Sequence, residues 1–279
     1  MSDYELLDEA REIAGRTVYR IRAARDIPHH NVAAGTVGGW VESLDNIAEQ
    51  AWVADDAVVS EQARVSGHAL VSTRAQIGDE AQVTDWAHVV DDAVVRNRAR
   101  VSGHAQVRQR GQVLGDVYVC GGAVILGDAA LFDRVHVEGS ACVKGTAAVH
   151  HDARIKGSAC VRGVILEDAV VSGYVHVPYG AKVGGGDRLL VPQDILVLGP
   201  IGSESVTVTL ARTRSAASGH ALRVGCWTGE IDTLAQEVER RAMDWDARDR
   251  DERAWREEYA ALESLLRIRV NRWTTATSD

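Results

Sequence analysis

The sequence predicts an all-β solenoid: a parallel β-helix of about seven to eight triangular coils, followed by a small antiparallel β cap and a C-terminal amphipathic helix. Three observations support this fold class. An Ala-x-Val triplet recurs every six residues from Ala51 to Val161, the spacing holds there without an insertion, and the apolar residues are mostly small, with only one Phe in the chain. A core built from such residues is narrow and repetitive.

Each six-residue unit supplies one short strand and one corner. The aliphatic residue and the small residue point inward, and the residue between them faces outward. Three units close one triangular coil of eighteen residues, and coils stack about 4.8 Å apart. After Val161 the next aliphatic residue in phase is Ile165, two residues early, which predicts a shortened corner near Gly163. Three units replace the alanine by another residue: Gly111, Val117 and Val135.

The repeated unit resembles a known motif. The stretch Val53-Ala54-Asp55-Asp56-Ala57-Val58 is similar to the hexapeptide repeat of left-handed β-helix proteins. Many members of that superfamily are acyltransferases, and they are usually trimeric. The resemblance therefore implies a left-handed coil and a trimer. The left hand comes from the resemblance alone, because parallel crossover connections are normally right-handed.

The flanking segments resemble uncharacterised hexapeptide-repeat proteins of bacteria and of phages or prophages, some of which are described as transferases. Residues 19–23 and 35–41, followed by Trp52-Val53, are similar to the N-terminal part of those proteins. Residues 199–203, Arg212 and residues 225–229 are similar to the C-terminal module of the phage-type members. This resemblance implies no settled function.

The pattern divides the chain into four parts. We expect an N-terminal cap of helix and strand over 1–50 and the β-helix over 51–186. A small β module should follow over 187–230, and a helical segment over 231–273.

The eighteen-residue period predicts which outward side chains stack on adjacent coils. The residues of the first column are more apolar than is usual for outward-facing side chains, and those of the third column are polar. We expect the first two faces to be covered by another subunit or by the terminal segments, which favours a homotrimer, and the third to be wet. The first column is Trp52, Leu70, His88, Gln106, Val124, Cys142 and Cys160; the second is Val58, Gln76, Val94, Gln112, Ala130 and Ala148; the third is Arg64, Gln82, Arg100, Tyr118, His136 and Arg154.

The segment after the solenoid carries the candidate ligand site. It reads as three antiparallel strands, 194–198, 206–212 and 221–226, with a glycine-rich turn at 199–203 and a helix that begins near Glu230. Free backbone N–H groups at a helix start favour anions, an arginine adds charge, and a tryptophan offers a stacking face. The predicted ligand-binding residues are Ser203, Arg212, Arg214, Trp227, Thr228 and Gly229. The alternative is a β cap that covers the unpaired edge of the last coil.

Histidines supply the rival, catalytic interpretation. Acyltransferases of the resembled superfamily use a histidine as general base, often beside a loop ejected from one coil. The candidates are His68, His104 and His136. His68 and His104 lie in identical seven-residue segments, as decoration of a duplicated repeat would, and no ejected loop interrupts the units, which weakens this interpretation.

The terminal segment is helical in period, with apolar residues that include Leu234, Val238, Tyr259, Leu262 and Leu266. Charged residues fill the other positions. Such an amphipathic helix favours a role in oligomer contacts or packing on the apolar face of the solenoid.

Composition narrows the remaining choices. A net charge of −9 argues against duplex nucleic acid as a partner, and no apolar run is long enough for a signal peptide or a membrane span. The four cysteines form no CxxC pair and have no histidine at the usual zinc spacing, so we expect reduced thiols and neither a metal nor a cofactor. These features favour a cytoplasmic protein.

We therefore expect a non-catalytic oligomer that binds a small anionic, nucleotide-like ligand. If the phage resemblance holds, sequestering a host defence signal is a role for such a protein. An acyltransferase that uses acyl-CoA and a structural scaffold component are the alternatives.

Overall fold

The computed structural model describes residues 3–245 and 249–275. It contains the predicted fold, a parallel β-solenoid of about eight coils with a small antiparallel sheet and C-terminal helices, which confirms the fold class.

The N-terminal segment forms three strands: β1 (Tyr4–Ile13), β2 (Arg16–Ala23) and β3 (Val37–Val41). The solenoid strands follow in chain order: β4 (Trp52–Val53), β5 (Val58–Val59), β6 (Arg64–Val65), β7 (Leu70–Val71), β8 (Gln76–Ile77), β9 (Gln82–Val83), β10 (His88–Val89), β11 (Val94–Asn97), β12 (Arg100–Val101), β13 (Gln106–Val107), β14 (Gln112–Gly115), β15 (Tyr118–Val119), β16 (Val124–Ile125), β17 (Ala130–Leu131), β18 (His136–Val137), β19 (Cys142–Val143), β20 (Ala148–Val149), β21 (Arg154–Ile155), β22 (Cys160–Val161), β23 (Val164–Ile165), β24 (Val170–Val171), β25 (His176–Val177), β26 (Lys182–Val183) and β27 (Arg188–Leu189). The described residues of the tail form four strands and two helices: β28 (Ile195–Ile201), β29 (Val206–Arg212), β30 (His220–Val224), β31 (Trp227–Gly229), α1 (Ile231–Ala242) and α2 (Asp249–Thr275). Three 3-10 turns lie at Pro28–His30, Leu44–Asn46 and Pro192–Asp194.

The solenoid has three parallel faces. Face 1 holds every third strand from β4 to β25, face 2 from β5 to β26, and face 3 from β6 to β27. Corresponding residues pair in register eighteen apart, for example His88 with Gln106 and Arg100 with Tyr118. The predicted columns are therefore the columns of the structure over the first coils.

The phase shift has a clear structural basis. Pairs across the shift are sixteen apart, as in Ala148 with Val164 and Cys160 with His176. A side chain at Gly163 would place its Cβ 2.5 Å from the Ala181 carbonyl oxygen, so the shortened corner requires glycine. This confirms the corner that the sequence predicted.

The core is one narrow column of inward side chains. The inward alanines and valines, such as Ala105 and Val107, have no solvent exposure. The outward residues between them are partly or fully exposed on most coils. Alternation along each short strand therefore separates core from surface.

The N-terminal segment extends face 2. Strands β1, β2 and β3 pair antiparallel in that order, and β3 then pairs parallel with β5 through Trp40 and Val58. The Trp40 ring lies near the guanidinium groups of Arg11 and Arg20, at 4.1 and 4.3 Å from its centroid. Over residues 3–50, the helical content of the N-terminal segment is confined to the two 3-10 turns Pro28–His30 and Leu44–Asn46.

The tail forms a second layer over the last coil. Strands β28 to β31 pair antiparallel in chain order, and Ile195 and Ala211 join the solenoid core. The opposite side of this sheet, which includes Leu210 and Leu222, packs against Leu234 of α1 and other apolar residues of both helices. The amphipathic segment packs on the cap sheet, because this sheet has a second apolar side that needs cover. The sequence had instead indicated an oligomer contact or packing on the apolar face of the solenoid.

In the described part of the chain, neither α1 nor α2 has the length and apolar character needed to cross a membrane.

Candidate functional site

The structure divides the predicted ligand-binding residues between two ends of the cap sheet. Ser203 lies in the turn between β28 and β29, and Trp227, Thr228 and Gly229 form β31. Trp227 pairs with Val224, which in turn pairs with Val208 near the start of β29. Ser203 and Trp227 therefore lie at the same end of the sheet.

The two predicted arginines lie elsewhere. Arg212 ends β29, roughly 20 Å from the Ser203 turn for a strand of that length. Its Nη1 donates to Asp194 Oδ1 at 3.2 Å, and Asp194 also accepts the backbone N–H of Leu190 and Val191. Arg214 is exposed in the following loop. Arg212 thus couples the cap to the end of the solenoid, and the structure does not bring either arginine to Ser203.

Two other arginines occupy the Ser203 end. A cavity of about 440 Å³, here called the tail cleft, opens between the β28–β29 turn and the two helices. It adjoins a second hollow that contains Trp227 and Thr233 and shares Arg240 with it. The tail cleft is lined by Ser203, Glu204, Cys226, Arg240, Arg241, Asp244, Trp245 and Trp255.

Carboxylates hold both arginines in place. Glu237 accepts hydrogen bonds from Arg240 at 2.7 and 2.8 Å and from Arg241 Nε at 2.7 Å. The hydrogen bonds from Arg240, followed by those from Arg241, lower the pKa of Glu237 to about 2. Arg241 is buried and also contacts Glu204 at 3.2 Å, whereas the Arg240 side chain is 60% exposed. Arg241 is therefore held in one position, whereas Arg240 is accessible to solvent.

Aromatic rings form the other wall of the tail cleft. The rings of Trp245 and Trp255 meet edge to face with centroids 5.4 Å apart, and Trp245 also stacks on Tyr259 at 6.5 Å. Among the described residues, the buried Trp245 Nε1–H has no hydrogen-bond acceptor. A buried donor without an acceptor is unfavourable by about 1–3 kcal/mol. This donor is enclosed, so a ligand atom could reach it only after neighbouring side chains move.

Sequence reasoning missed Arg240, Arg241, Trp245 and Trp255. On a helix with many charged residues, arginines are typical of a solvated face, and tryptophans at helical spacing are typical of helix packing. The signal that could have found them is the adjacency of an Arg-Arg pair and a tryptophan at the end of α1, close to the turn that already held Ser203.

The three candidate catalytic histidines lie in two different environments. His68 stacks on Trp86 with ring centroids 4.2 Å apart, and His104 lies on the other side of Trp86 at 6.2 Å. His29 from the N-terminal segment approaches His68 edge to face at 4.4 Å. These contacts are ring packing along one corner, and within the described residues neither His68 nor His104 pairs with a carboxylate.

His136 differs, because other ligating groups surround it. Its Nε2 lies 3.9 Å from Cys120 Sγ and 3.8 Å from Glu138 Oε2. Burial raises the pKa of the Cys120 thiol, the charge of Glu138 raises it further, and a hydrogen bond from Tyr118 acts in the opposite direction. This group is the candidate metal-binding cluster among the described residues.

Comparisons with models of protein families and with curated proteins find no match to this chain. The function proposed for the chain therefore rests on the geometry of its own residues.

Proposed function

We propose that this chain is a non-catalytic, trimeric, cytoplasmic protein that binds a small anionic molecule of the nucleotide class in the tail cleft. The observation that carries the proposal is the meeting of two indole rings and two guanidinium groups around one cavity of about 440 Å³. A planar ring and an anionic group are the two features that such a site recognises together.

The ring of the ligand would stack on Trp255 or Trp245. Stacking of a base on an aromatic side chain is worth about 1–3 kcal/mol. The Trp245 Nε1–H is enclosed beside the same wall and lacks an acceptor among the described residues, so a movement of its neighbours would let it donate to the ligand. A ring that carries an acceptor atom fits this wall better than a purely apolar ring.

The anionic group would meet Arg240 and Arg241. Both are already paired, so the proposal needs a partner that can give way. Glu204 is that partner, because its side chain is 49% exposed, although Arg241 is only 9% exposed and their contact is partly buried. An incoming phosphate would replace the Glu204 contact by another charge-assisted hydrogen bond to Arg241, so the guanidinium group would not be left unpaired. Glu237 would keep the guanidinium groups oriented.

The proposed site keeps only some of the ligand-binding residues that the sequence predicted. Ser203 lines the tail cleft and Trp227 lines the adjoining hollow, whereas Thr228 and Gly229 line neither of these two cavities. Arg212 and Arg214 are replaced as the charged groups by Arg240 and Arg241. Sequestration of a nucleotide-like signal, including a host defence signal, is the role that such a binding protein would serve.

A thermal-shift screen with AMP, cyclic AMP, ADP-ribose and acetyl-CoA tests the proposal. A ligand present at a hundred times its Kd stabilises the folded state by about 2.7 kcal/mol, which raises the Tm by several degrees. We expect at least one of the four to produce this shift, and Arg240→Gln to remove it. Arg253→Gln is the matched control, because Arg253 is an exposed arginine of α2 that does not line the cleft.

The same screen separates the alternatives. A shift by acetyl-CoA that survives Arg240→Gln, together with acetyl transfer lost on substitution of His68, His104 or His136, would replace this proposal with an acyltransferase. A protein that responds to none of the four compounds would favour a structural scaffold component.

A further inference from the structure

Three metal-ligating side chains converge on face 3, far along the chain from the tail cleft. They are Cys120, His136 and Glu138, and their ligand atoms all lie within 4.8 Å of one another. Sulfur, imidazole nitrogen and carboxylate oxygen are the donor types that zinc uses in proteins. Hard cations such as Mg²⁺ and Ca²⁺ prefer oxygen alone.

The coil period brings these residues together. Cys120 and Glu138 are eighteen apart and follow the equivalent strands β15 and β18. His136 opens β18, and because side chains alternate along a strand, it points to the same outward side as Glu138 two residues later. Zinc motifs with short sequence spacings do not describe this arrangement, which explains why the sequence indicated no site.

The backbone holds the three residues rigidly. The N–H of Cys120 donates to the Val137 carbonyl at 2.9 Å, and that of Glu138 donates to the Ile155 carbonyl at 2.9 Å. The Tyr118 ring lies 5.0 Å from the His136 ring and its hydroxyl accepts from Ser102 Oγ at 3.3 Å. A metal would therefore meet ligands that are already placed, with an aromatic neighbour beside them.

The contacts converge on one nitrogen. Cys120 Sγ and Glu138 Oε2 both approach His136 Nε2, at 3.9 and 3.8 Å. In a catalytic triad, the nucleophile and the carboxylate would instead contact the two different ring nitrogens of the histidine. In a tetrahedral zinc site, bond lengths of about 2.0–2.3 Å place ligand atoms about 3.4–3.6 Å apart. A contraction of a few tenths of an ångström would bring Cys120 and Glu138 to that distance from His136, and the Cys120–Glu138 pair, which lies within 4.8 Å, would close by up to about 1.2 Å.

We propose that Cys120, His136 and Glu138 bind one Zn²⁺ ion on face 3, with the fourth coordination position open to water or to a ligand. The site is independent of the tail cleft, and His136 serves in it as a ligand. Bonding to the metal converts the Cys120 thiol to a thiolate, with its proton released to solvent.

Cobalt titration of the full chain, stripped of metal, tests the site because Co²⁺ bound to a thiolate absorbs in the near ultraviolet. We expect saturation at one equivalent and competition by Zn²⁺. Cys120→Ser should abolish the thiolate absorption, and His136→Gln and Glu138→Gln should each weaken Co²⁺ binding at least tenfold. Circular dichroism checks that each variant keeps the solenoid, as outward substitutions should.

Cys142→Ser is the matched control, because Cys142 is a partly exposed cysteine of the solenoid and pairs in register with Cys160 on face 1. We expect it to keep the full absorption. Absorption that survives Cys120→Ser but disappears in Cys142→Ser would overturn the proposal by moving the metal to face 1. A folded wild-type chain without stoichiometric Co²⁺ binding would also overturn it.

Discussion

At the scale of single residues, the narrow core makes inward positions far less tolerant than outward ones. Val107 has no solvent exposure, and the opposing faces of the triangular coil are only one side chain away. Arg100 begins β12 on face 3 with its side chain exposed. Substitutions at Val107 and Arg100 therefore compare a buried position with an exposed position in the same region of the solenoid.

Val107→Asp should lower the free energy of unfolding by more than about 3 kcal/mol, because a buried carboxylate without a partner is strongly unfavourable. Arg100→Ala should change it by less than about 0.5 kcal/mol. Urea unfolding followed by circular dichroism measures both. Equal midpoints for the two variants would mean that Val107 does not face inward.

Two histidines near the first coils should make the fold sensitive to mild acid. Burial lowers the pKa of His30, and the nearby His88, His68 and His29 lower it further. Burial also lowers the pKa of His88, with smaller effects from Arg108 and His104. Both folded-state pKa values thus lie below the ordinary 6.5.

Between the folded and the unfolded pKa values, the unfolded chain binds more protons than the folded chain, so the free energy of unfolding falls as the pH falls. We expect it to be level above about pH 7 and to decrease from about pH 6.5 downward. His88→Gln should reduce this decrease, whereas His176→Gln, at an exposed histidine, should leave it unchanged. Urea midpoints from pH 5 to pH 8 give the profile, and identical slopes for wild type and His88→Gln would refute the assignment.

At the scale of elements, the corners set the register of the solenoid. Corner residues with positive φ, such as Asp85, Asp91 and Asp133, accept the backbone N–H of the residue one coil later, each at 2.9 Å. These side chains satisfy backbone donors that the short strands leave unpaired. Asp tolerates this left-handed conformation better than most residues, which explains its frequency at the corners.

Two corner glycines provide a matched test. Gly115 has a φ of +100°, and a Cβ there would lie 2.7 Å from the Asp133 carbonyl oxygen, whereas Gly145 has a φ of +70° and open space around it. Gly115→Ala should therefore destabilise the fold by at least about 1 kcal/mol more than Gly145→Ala. Thermal and urea unfolding compare them. A Gly145→Ala variant as unstable as Gly115→Ala would show that crowding at the corner is unimportant.

The elements also show how far the sequence could predict the structure. The repeat was predictable because each inward residue has the same environment eighteen residues later. The phase shift near Gly163 was also visible in the sequence, because the next aliphatic residue in phase, Ile165, comes two residues early. At the end of the tail where Ser203 and Trp227 lie, the sequence singled out these two residues but not the rest of the proposed site. Its charges come from Arg240 and its rings from Trp255, which meet only through the packing of α1 and α2 on the sheet.

At the scale of the whole molecule, face 1 remains the candidate oligomer surface. Leu70, Val124, Cys142 and Cys160 lie along it and are each partly exposed in the single chain. Because the terminal helices pack on the cap sheet, this column is the structural feature that supports the proposed trimer.

Light scattering after size exclusion should give three times the chain mass of 30.1 kDa. Val124→Glu should lower the mass toward that of one chain, because a charge in the middle of an apolar interface loses its hydration without a partner. Gln82→Glu adds the same charge to exposed face 3 and should leave the mass unchanged. A wild-type mass of one chain would rule out the trimer.

The proposed binding site is tested most directly by tryptophan fluorescence, since Trp245 and Trp255 line the tail cleft themselves. Wild-type protein and Arg240→Gln would be titrated with AMP, cyclic AMP, ADP-ribose and acetyl-CoA. We expect at least one compound to quench the wild-type emission saturably, with the Kd raised about tenfold or more in Arg240→Gln, since a hydrogen bond to a charged group contributes about 1.5–3 kcal/mol. Saturable quenching with the same Kd in both proteins, or no quenching by any of the four, would contradict the account.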